Sequence, residues 1–133
     1  AIKEGSGSLQ QISDVVRRCG DRMPVLSGDD ALTLPILAVG GTGVITVSAN
    51  IIPKEVSTMI DAFNVGNIDQ ARQGHLKMDP LVSALFLETN PIPVKQALAF
   101  MGKMSAEVRL PLCRMSDENQ QRLRQVMTTY GLL

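Results

Sequence analysis

The fold is most clearly indicated by the stretch Gly40-Gly41-Thr42-Gly43-Val44-Ile45-Thr46-Val47, a glycine-rich turn that leads into a β-branched run. β-Branched residues favour strands, and a run without polar alternation is typical of a parallel strand that is buried on both faces. The glycines also suit a phosphate-binding loop, but such a loop follows a strand, whereas this one precedes it. We therefore predict a helix stop, a tight turn and a buried parallel strand.

Two further strands and three helices are predicted around this run. An apolar run at Met23–Leu26 stops at Ser27-Gly28-Asp29-Asp30, and a shorter one at Ile2 stops at Lys3. Apolar residues at helical spacing separate the runs, and the predicted helices begin near Leu9, Ala31 and Pro53. Strands that alternate with helices over short connections predict right-handed βαβ units and a parallel sheet or barrel.

The second half of the chain carries helical signals only. Helical periodicity begins at Asn67, and a rigid turn at Asn90-Pro91-Ile92-Pro93 separates two helices. We predict a βα part at residues 1–66 and an all-helical domain at residues 67–133. Because three strands cannot close a barrel, we expect further strands to precede Ala1 or to come from another chain.

The composition argues against several classes of function. Thirteen basic residues balance thirteen acidic ones, so no strong field favours nucleic acid or an anionic membrane. The absence of Trp and the single Tyr leave few stacking platforms for single-stranded bases. Cys19 and Cys113 lack the CxxC spacing of a zinc site or redox pair, which indicates free thiols in a reducing compartment. With no signal peptide and no long apolar stretch, we expect a soluble cytoplasmic protein.

Lys3 is the leading candidate for a nucleophile. A lysine at the carboxyl end of a barrel strand reaches the site that is formed by the loops after the strands. Burial there disfavours the charged ammonium, and a neutral amine can form a Schiff base with a ketone. The alternative is a solvated surface lysine, which is the commoner role of a single lysine near a strand end.

Other polar residues have simpler structural explanations. In a strand, Glu4 points to the side opposite Lys3, so we expect it to pack between sheet and helices or to pair with a base. Asp29 or Asp30 is expected to cap the following helix rather than to form a metal or acid–base pair. Lys95 is expected to pair with a carboxylate. No metal site is predicted.

Four motifs carry a resemblance to a known family. They are Ile2-Lys3-Glu4-Gly5-Ser6-Gly7, Leu26-Ser27-Gly28-Asp29-Asp30, the stretch from Gly40 to Asn50, and Thr89-Asn90-Pro91-Ile92-Pro93-Val94-Lys95. In order and spacing they resemble the dihydrodipicolinate synthase family of pyruvate-dependent class I aldolases, to which N-acetylneuraminate lyase also belongs. The resemblance covers the whole chain, but only the second half of the family's chain.

The resemblance implies a (β/α)8 TIM barrel with a helical C-terminal domain, of which this chain carries the last three βα units and that domain. Lys3 matches the lysine that forms an imine with pyruvate. Gly28 and Ile45 match positions whose backbone carbonyls line the pyruvate pocket, and Asn90 matches a polar position at the edge of the site. No metal or organic cofactor is implied.

The family's reaction condenses pyruvate with aspartate semialdehyde on the route to lysine and diaminopimelate, and the resemblance implies a homotetramer. The proton relay and the arginine for the second substrate belong to the half that is absent here, so we expect this chain alone to be inactive. Gly5 departs from the family's common Ala. Two alternatives stay open: another lyase of the family, similar to N-acetylneuraminate lyase, and a non-catalytic piece that completes a partner's barrel.

Overall fold

Three short parallel strands form one sheet in the order β1-β2-β3. The computed structural model describes residues 1–133, with strands β1 (Ile2–Glu4), β2 (Val25–Ser27) and β3 (Gly43–Val44). In the parallel register, Lys3 lies opposite Leu26, and Leu26 lies opposite Gly43. Neighbouring strands are consecutive in sequence, and a helix connects each pair. The predicted alternation of strands and helices in a parallel α/β sheet is therefore confirmed.

The helices follow the predicted order. Two of them connect the strands, and four follow β3 after a short 3-10 turn at Ser48–Asn50. They are α1 (Leu9–Cys19), α2 (Thr33–Ala38), α3 (Pro53–Asn64), α4 (Ile68–Ala84), α5 (Ile92–Phe100) and α6 (Asp117–Tyr130). None of them combines the length and the apolar character that crossing a membrane requires.

β3 is shorter than the predicted strand Val44–Val47. It pairs with β2 at Gly43 and Val44, and one further bond joins Ile45 N to Ser27 O at 2.8 Å. Ile45 is 50% exposed, so the expectation of burial on both faces is wrong at this position. The reason is that β3 is an outer strand, with β2 on one side and no strand paired on the other.

The glycine-rich turn before β3 ends helix α2. Gly40 has a φ angle of 102°, in the left-handed region that favours glycine. Its N–H donates to Leu37 O at 3.1 Å, and Gly41 N donates to Ile36 O at 2.8 Å, a pattern that satisfies the last carbonyls of a helix. Thr42 N donates to the first carbonyl of β2 at 2.9 Å. Because three successive N–H groups are bonded within the fold, the turn is a helix stop and not a phosphate-binding loop.

The chain divides into two compact units. The first contains Ala1–Thr46 and Lys54–Lys77, and it holds the sheet. Its almost wholly buried apolar side chains include Ile12, Val25, Ile36 and Ala71. The second contains Val47–Pro53 and Met78–Leu133, and its almost wholly buried apolar side chains include Leu81, Leu85, Leu123 and Met127. The division into domains at residues 1–66 and 67–133 stays a prediction.

Glu88, which precedes α5, accepts hydrogen bonds from residues at the start of α6. One carboxylate oxygen accepts hydrogen bonds from Asn119 Nδ2 at 2.8 Å, from Ser116 Oγ at 2.9 Å and from Ser116 N at 3.0 Å. The Asn119 amide and then the Ser116 N–H hold the pKa of Glu88 below its ordinary value of 4.5. Burial opposes them, and the Ser116 hydroxyl adds a smaller lowering effect on this pKa. These bonds favour the ionised carboxylate in the folded state.

We expect Glu88→Gln to remove a pH-dependent part of the stability. Because the folded-state pKa is lowered, the contribution of Glu88 to the free energy of unfolding is fully present above pH 4.5 and is lost as the pH falls through the folded-state pKa. For a largely solvated carboxylate, the loss at neutral pH is about 0.5 kcal/mol. Urea unfolding across this pH range measures it, with the exposed Glu107→Gln as control. An equal loss for both variants at every pH would contradict the role of Glu88.

Candidate active site

Lys3, Gly28 and Ile45 lie at the same end of the sheet. Lys3 is in β1, Gly28 directly follows β2, and Ile45 directly follows β3. The strands are parallel, so the chain leaves all three at one edge. Two main-chain bonds continue the ladders past the strands: Gly28 N donates to Glu4 O at 2.6 Å, and Ile45 N donates to Ser27 O at 2.8 Å. Three of the four residues predicted for the site are thus held by neighbouring strands.

The side chain of Lys3 passes directly over Gly28. A Cβ atom built on Gly28 would lie 2.9 Å from Cε of Lys3 and 2.8 Å from the carbonyl oxygen of Glu4. Both distances are shorter than any normal carbon contact, so this position has room for glycine only. Glycine is used where a backbone must approach a reactive group closely. The path of the Lys3 side chain therefore depends on the missing Cβ of Gly28.

Lys3 is exposed in this chain, whereas the burial expected of it belongs to a complete barrel. β1 is the other outer strand of the sheet, so β2 pairs with one edge of β1 and no strand pairs with the other. Ile2, its neighbour in the strand, is 36% exposed for the same reason. These 133 residues therefore do not exclude water from Lys3.

Glu4 is buried beside Lys3 and fixes the turn that follows β1. The residue is 7% exposed, and its carboxylate accepts from Ser6 N at 3.2 Å and from Gln11 Nε2 at 3.0 Å. The alternative expectation, that Glu4 pairs with a base, is wrong, because its partners are amides. Gln11 lies in α1, so the Glu4 carboxylate connects β1 to the helix that follows it in sequence.

The two aspartates after β2 have different partners. Asp29 Oδ1 accepts from Ala31 N at 2.9 Å and from Leu32 N at 3.3 Å, which confirms a capping role just before α2. Asp30 is 8% exposed, and its Oδ2 instead accepts from Thr46 Oγ1 at 2.7 Å. No group of three or more His, Cys, Asp or Glu side chains is arranged to hold a metal ion.

The bond between Asp30 and Thr46 was not anticipated from the sequence. Two signals could have indicated it. Thr46 is the only hydroxyl in an otherwise apolar run, and Asp30 follows the preceding strand by three residues. The carboxyl ends of adjacent parallel strands meet at one edge, so polar residues in the two loops can reach each other.

Asn90 belongs to the second unit, where it is exposed and precedes Pro91. Its assignment to the edge of the site stays a prediction. Nearby, Lys95 Nζ donates to the backbone carbonyl of Glu107, so the expected carboxylate partner of Lys95 is wrong. The partner is a main-chain oxygen in the segment between α5 and α6.

Known proteins match this chain over nearly its whole length. The 4-hydroxy-tetrahydrodipicolinate synthase of Geobacter sp. strain M21 is 55% identical over 133 residues, which are 100% of this chain and 46% of that protein. The crystal structure of dihydrodipicolinate synthase from Aquifex aeolicus matches with a TM-score of 0.95 and 46% identity, over 98% of this chain and 44% of that one.

A third protein was solved with a ligand. The dihydrodipicolinate synthase of Acinetobacter baumannii, described as chloride inhibited and complexed with pyruvate, matches with a TM-score of 0.94 and 32% identity. The match covers 99% of this chain and 45% of that one. This chain thus spans less than half the length of each of these three proteins. The model of the dihydrodipicolinate synthetase family matches residues 1–130. This chain therefore belongs to the dihydrodipicolinate synthetase family.

Proposed function

We propose that this chain forms the carboxyl-terminal half of a pyruvate-dependent aldolase that condenses pyruvate with aspartate semialdehyde. It contributes the last three βα units of a (β/α)8 barrel and the helical domain that follows. The observation that carries the proposal is the position of Lys3, whose Cε lies against Gly28 at the strand end where Ile45 also lies. A family model over residues 1–130 and relatives of more than twice this length support it.

Lys3 is the proposed nucleophile. Its neutral amine attacks the ketone carbon of pyruvate, and loss of water leaves an imine. Removal of a proton from the methyl group then gives an enamine, whose carbon attacks the aldehyde of aspartate semialdehyde. The groups that move these protons are proposed to lie in the amino-terminal half, since the resemblance assigns the proton relay there. This chain alone is therefore proposed to be inactive.

Gly28 and Ile45 are proposed to line the pyruvate pocket through their backbone. Both lie directly after a strand, and each is fixed by its own N–H bond to the neighbouring strand. A backbone contact does not depend on the chemistry of the side chain, so a glycine and a half-exposed isoleucine can both make it. The pyruvate complex of the Acinetobacter baumannii relative supports pyruvate as the ligand.

The partner of this half is proposed to be the rest of the barrel. β1 and β3 are both outer strands, and Ile2 and Ile45 leave apolar surface exposed beside them. Such strand edges are normally paired or covered. Further strands on both sides would bury these residues and exclude water from Lys3. A cytoplasmic homotetramer is also proposed, on the resemblance alone.

Borohydride trapping tests the proposal. The complete enzyme is the full polypeptide that contains this chain or, where this chain is encoded alone, the chain combined with the amino-terminal half of the Geobacter relative. We expect borohydride to fix pyruvate on Lys3, as seen by mass analysis of the peptide that carries it, and to leave Lys54 and Lys95 unchanged. Absence of the adduct on Lys3 would refute the proposal and favour a non-catalytic piece. Turnover with N-acetylneuraminate in place of aspartate semialdehyde would identify the other lyase.

A further inference from the structure

One side-chain bond joins the two loops that carry Gly28 and Ile45. Asp30 lies two residues after Gly28, and Thr46 directly follows Ile45. Thr46 Oγ1 donates a hydrogen bond to Asp30 Oδ2 at 2.7 Å. The two are sixteen positions apart in sequence, so this bond is a tertiary link between neighbouring strand ends.

The Asp30 side of this link is rigid. Ser27 is fully buried, its Oγ donates to Asp29 O at 2.7 Å, and the same oxygen accepts from Asp29 N at 3.1 Å. Asp29 in turn accepts from the N–H groups of Ala31 and Leu32, just before α2. The loop from β2 to α2 is thus fixed by its own hydrogen bonds, and Asp30 projects from a fixed backbone.

The Thr46 side of the link follows a short strand. β3 pairs at two residues only, and the last main-chain bond between its end and β2 is made by Ile45 N. The peptide after Ile45, which carries its carbonyl, lies beyond that bond. Thr46 is the next residue, so its hydroxyl bond to Asp30 restrains the orientation of this peptide. Hydrogen bonds from a hydroxyl to a carboxylate are shorter and stronger than those between neutral groups.

We propose that Asp30 and Thr46 are positioning residues for pyruvate, which hold the backbone of Ile45 at a fixed separation from that of Gly28. This inference rests on the proposed function. Neither side chain needs to touch pyruvate, because the backbone of Gly28 and Ile45 makes the contact. Binding contacts of this kind are effective only when the geometry is held within a fraction of an ångström. Loss of the link therefore weakens pyruvate binding more than binding of the second substrate.

Thr46→Val in the complete enzyme tests the proposal, because valine keeps the branched shape and removes the hydroxyl. We expect the KM for pyruvate to rise about tenfold, which corresponds to about 1.4 kcal/mol, while the KM for aspartate semialdehyde changes less than twofold. Thr46→Ser keeps the hydroxyl and should restore a KM for pyruvate close to that of the unaltered enzyme. A purely structural role would lower the unfolding temperature of Thr46→Val without this selective change in KM.

Asp30→Asn provides a second variant in case Thr46→Val fails to fold, because the amide oxygen still accepts a hydrogen bond without the charge. We expect a smaller rise in the KM for pyruvate, of about threefold. Adding Thr46→Val should bring the total rise only to the roughly tenfold of Thr46→Val alone, because both residues act through one bond. Unchanged KM values for pyruvate in the variants that fold would overturn the proposal. Failure of the proposed function is seen separately, since the unaltered enzyme would then give no borohydride adduct on Lys3.

Discussion

The Lys3→Arg substitution is expected to lower kcat of the complete enzyme by about a thousandfold or more, which corresponds to roughly 4 kcal/mol of transition-state stabilisation. Arginine has a similar length, so it can occupy the same space over Gly28. Its guanidinium is protonated at every working pH and cannot attack a ketone. The imine path is therefore closed while the folded structure is retained. Steady-state turnover with pyruvate and aspartate semialdehyde measures the loss.

Lys54→Arg is the matched control for this substitution. Lys54 is exposed in the first turn of α3, outside the strand ends that form the candidate site. We expect this variant to keep the activity and the pyruvate adduct of the unaltered enzyme, and Lys3→Arg to lose both while keeping its unfolding midpoint. A Lys3→Arg enzyme that still turns over and still traps pyruvate would assign the imine to a different lysine.

Local signals predicted much of the fold. The glycine-rich turn at Gly40 and Gly41 and the capping by Asp29 depend on residues that are close in sequence, and the structure confirms both. The predicted ends of the strands were less accurate, since β2 is Val25–Ser27 instead of the predicted Met23–Leu26. Strand ends are set by the neighbouring strand with which they pair, and no local pattern records that pairing.

The candidate site was predicted only in part, because local sequence patterns do not record contacts with distant parts of the chain. The position of Lys3 beside Gly28 follows from adjacent parallel strands and could be anticipated. The exposure of Lys3 could not, because desolvation depends on groups that lie beyond the three strands. The link between Asp30 and Thr46 joins residues far apart in sequence, and helix capping is the simpler explanation for an aspartate at that position.

Gly28→Ala is expected to have the second-largest effect, because it changes both the fold and the path of Lys3. The added methyl group would lie 2.8 Å from the carbonyl oxygen of Glu4, 2.9 Å from Cε of Lys3 and 3.1 Å from Cα of Gly5. Two of these three atoms belong to the backbone. The Glu4 oxygen also accepts from Gly28 N at 2.6 Å, so it cannot retreat without weakening the ladder between β1 and β2.

The strain can be relieved by displacement of the backbone or of the Lys3 side chain, and each displacement has its own measurement. Displacement of the backbone should destabilise the complete enzyme by about 1–3 kcal/mol, as overpacking commonly does, and urea unfolding measures this loss. Displacement of the Lys3 side chain by about 1 Å should slow imine formation roughly a hundredfold, which the rate of borohydride-trapped pyruvate measures. The free energy of unfolding and the trapping rate together show how the strain is shared between the two.

Gly5→Ala separates crowding from the general effect of an added methyl group. Gly5 lies in the turn directly after β1, close to the same site, yet a Cβ atom built on it meets nothing within 4 Å. We therefore expect this variant to trap pyruvate at the rate of the unaltered enzyme and to be at least as stable, since alanine reduces the conformational freedom of the unfolded chain. If Gly28→Ala trapped pyruvate as fast as Gly5→Ala, the backbone of Gly28 would not determine where Lys3 lies, and its assignment to the pyruvate pocket would fail.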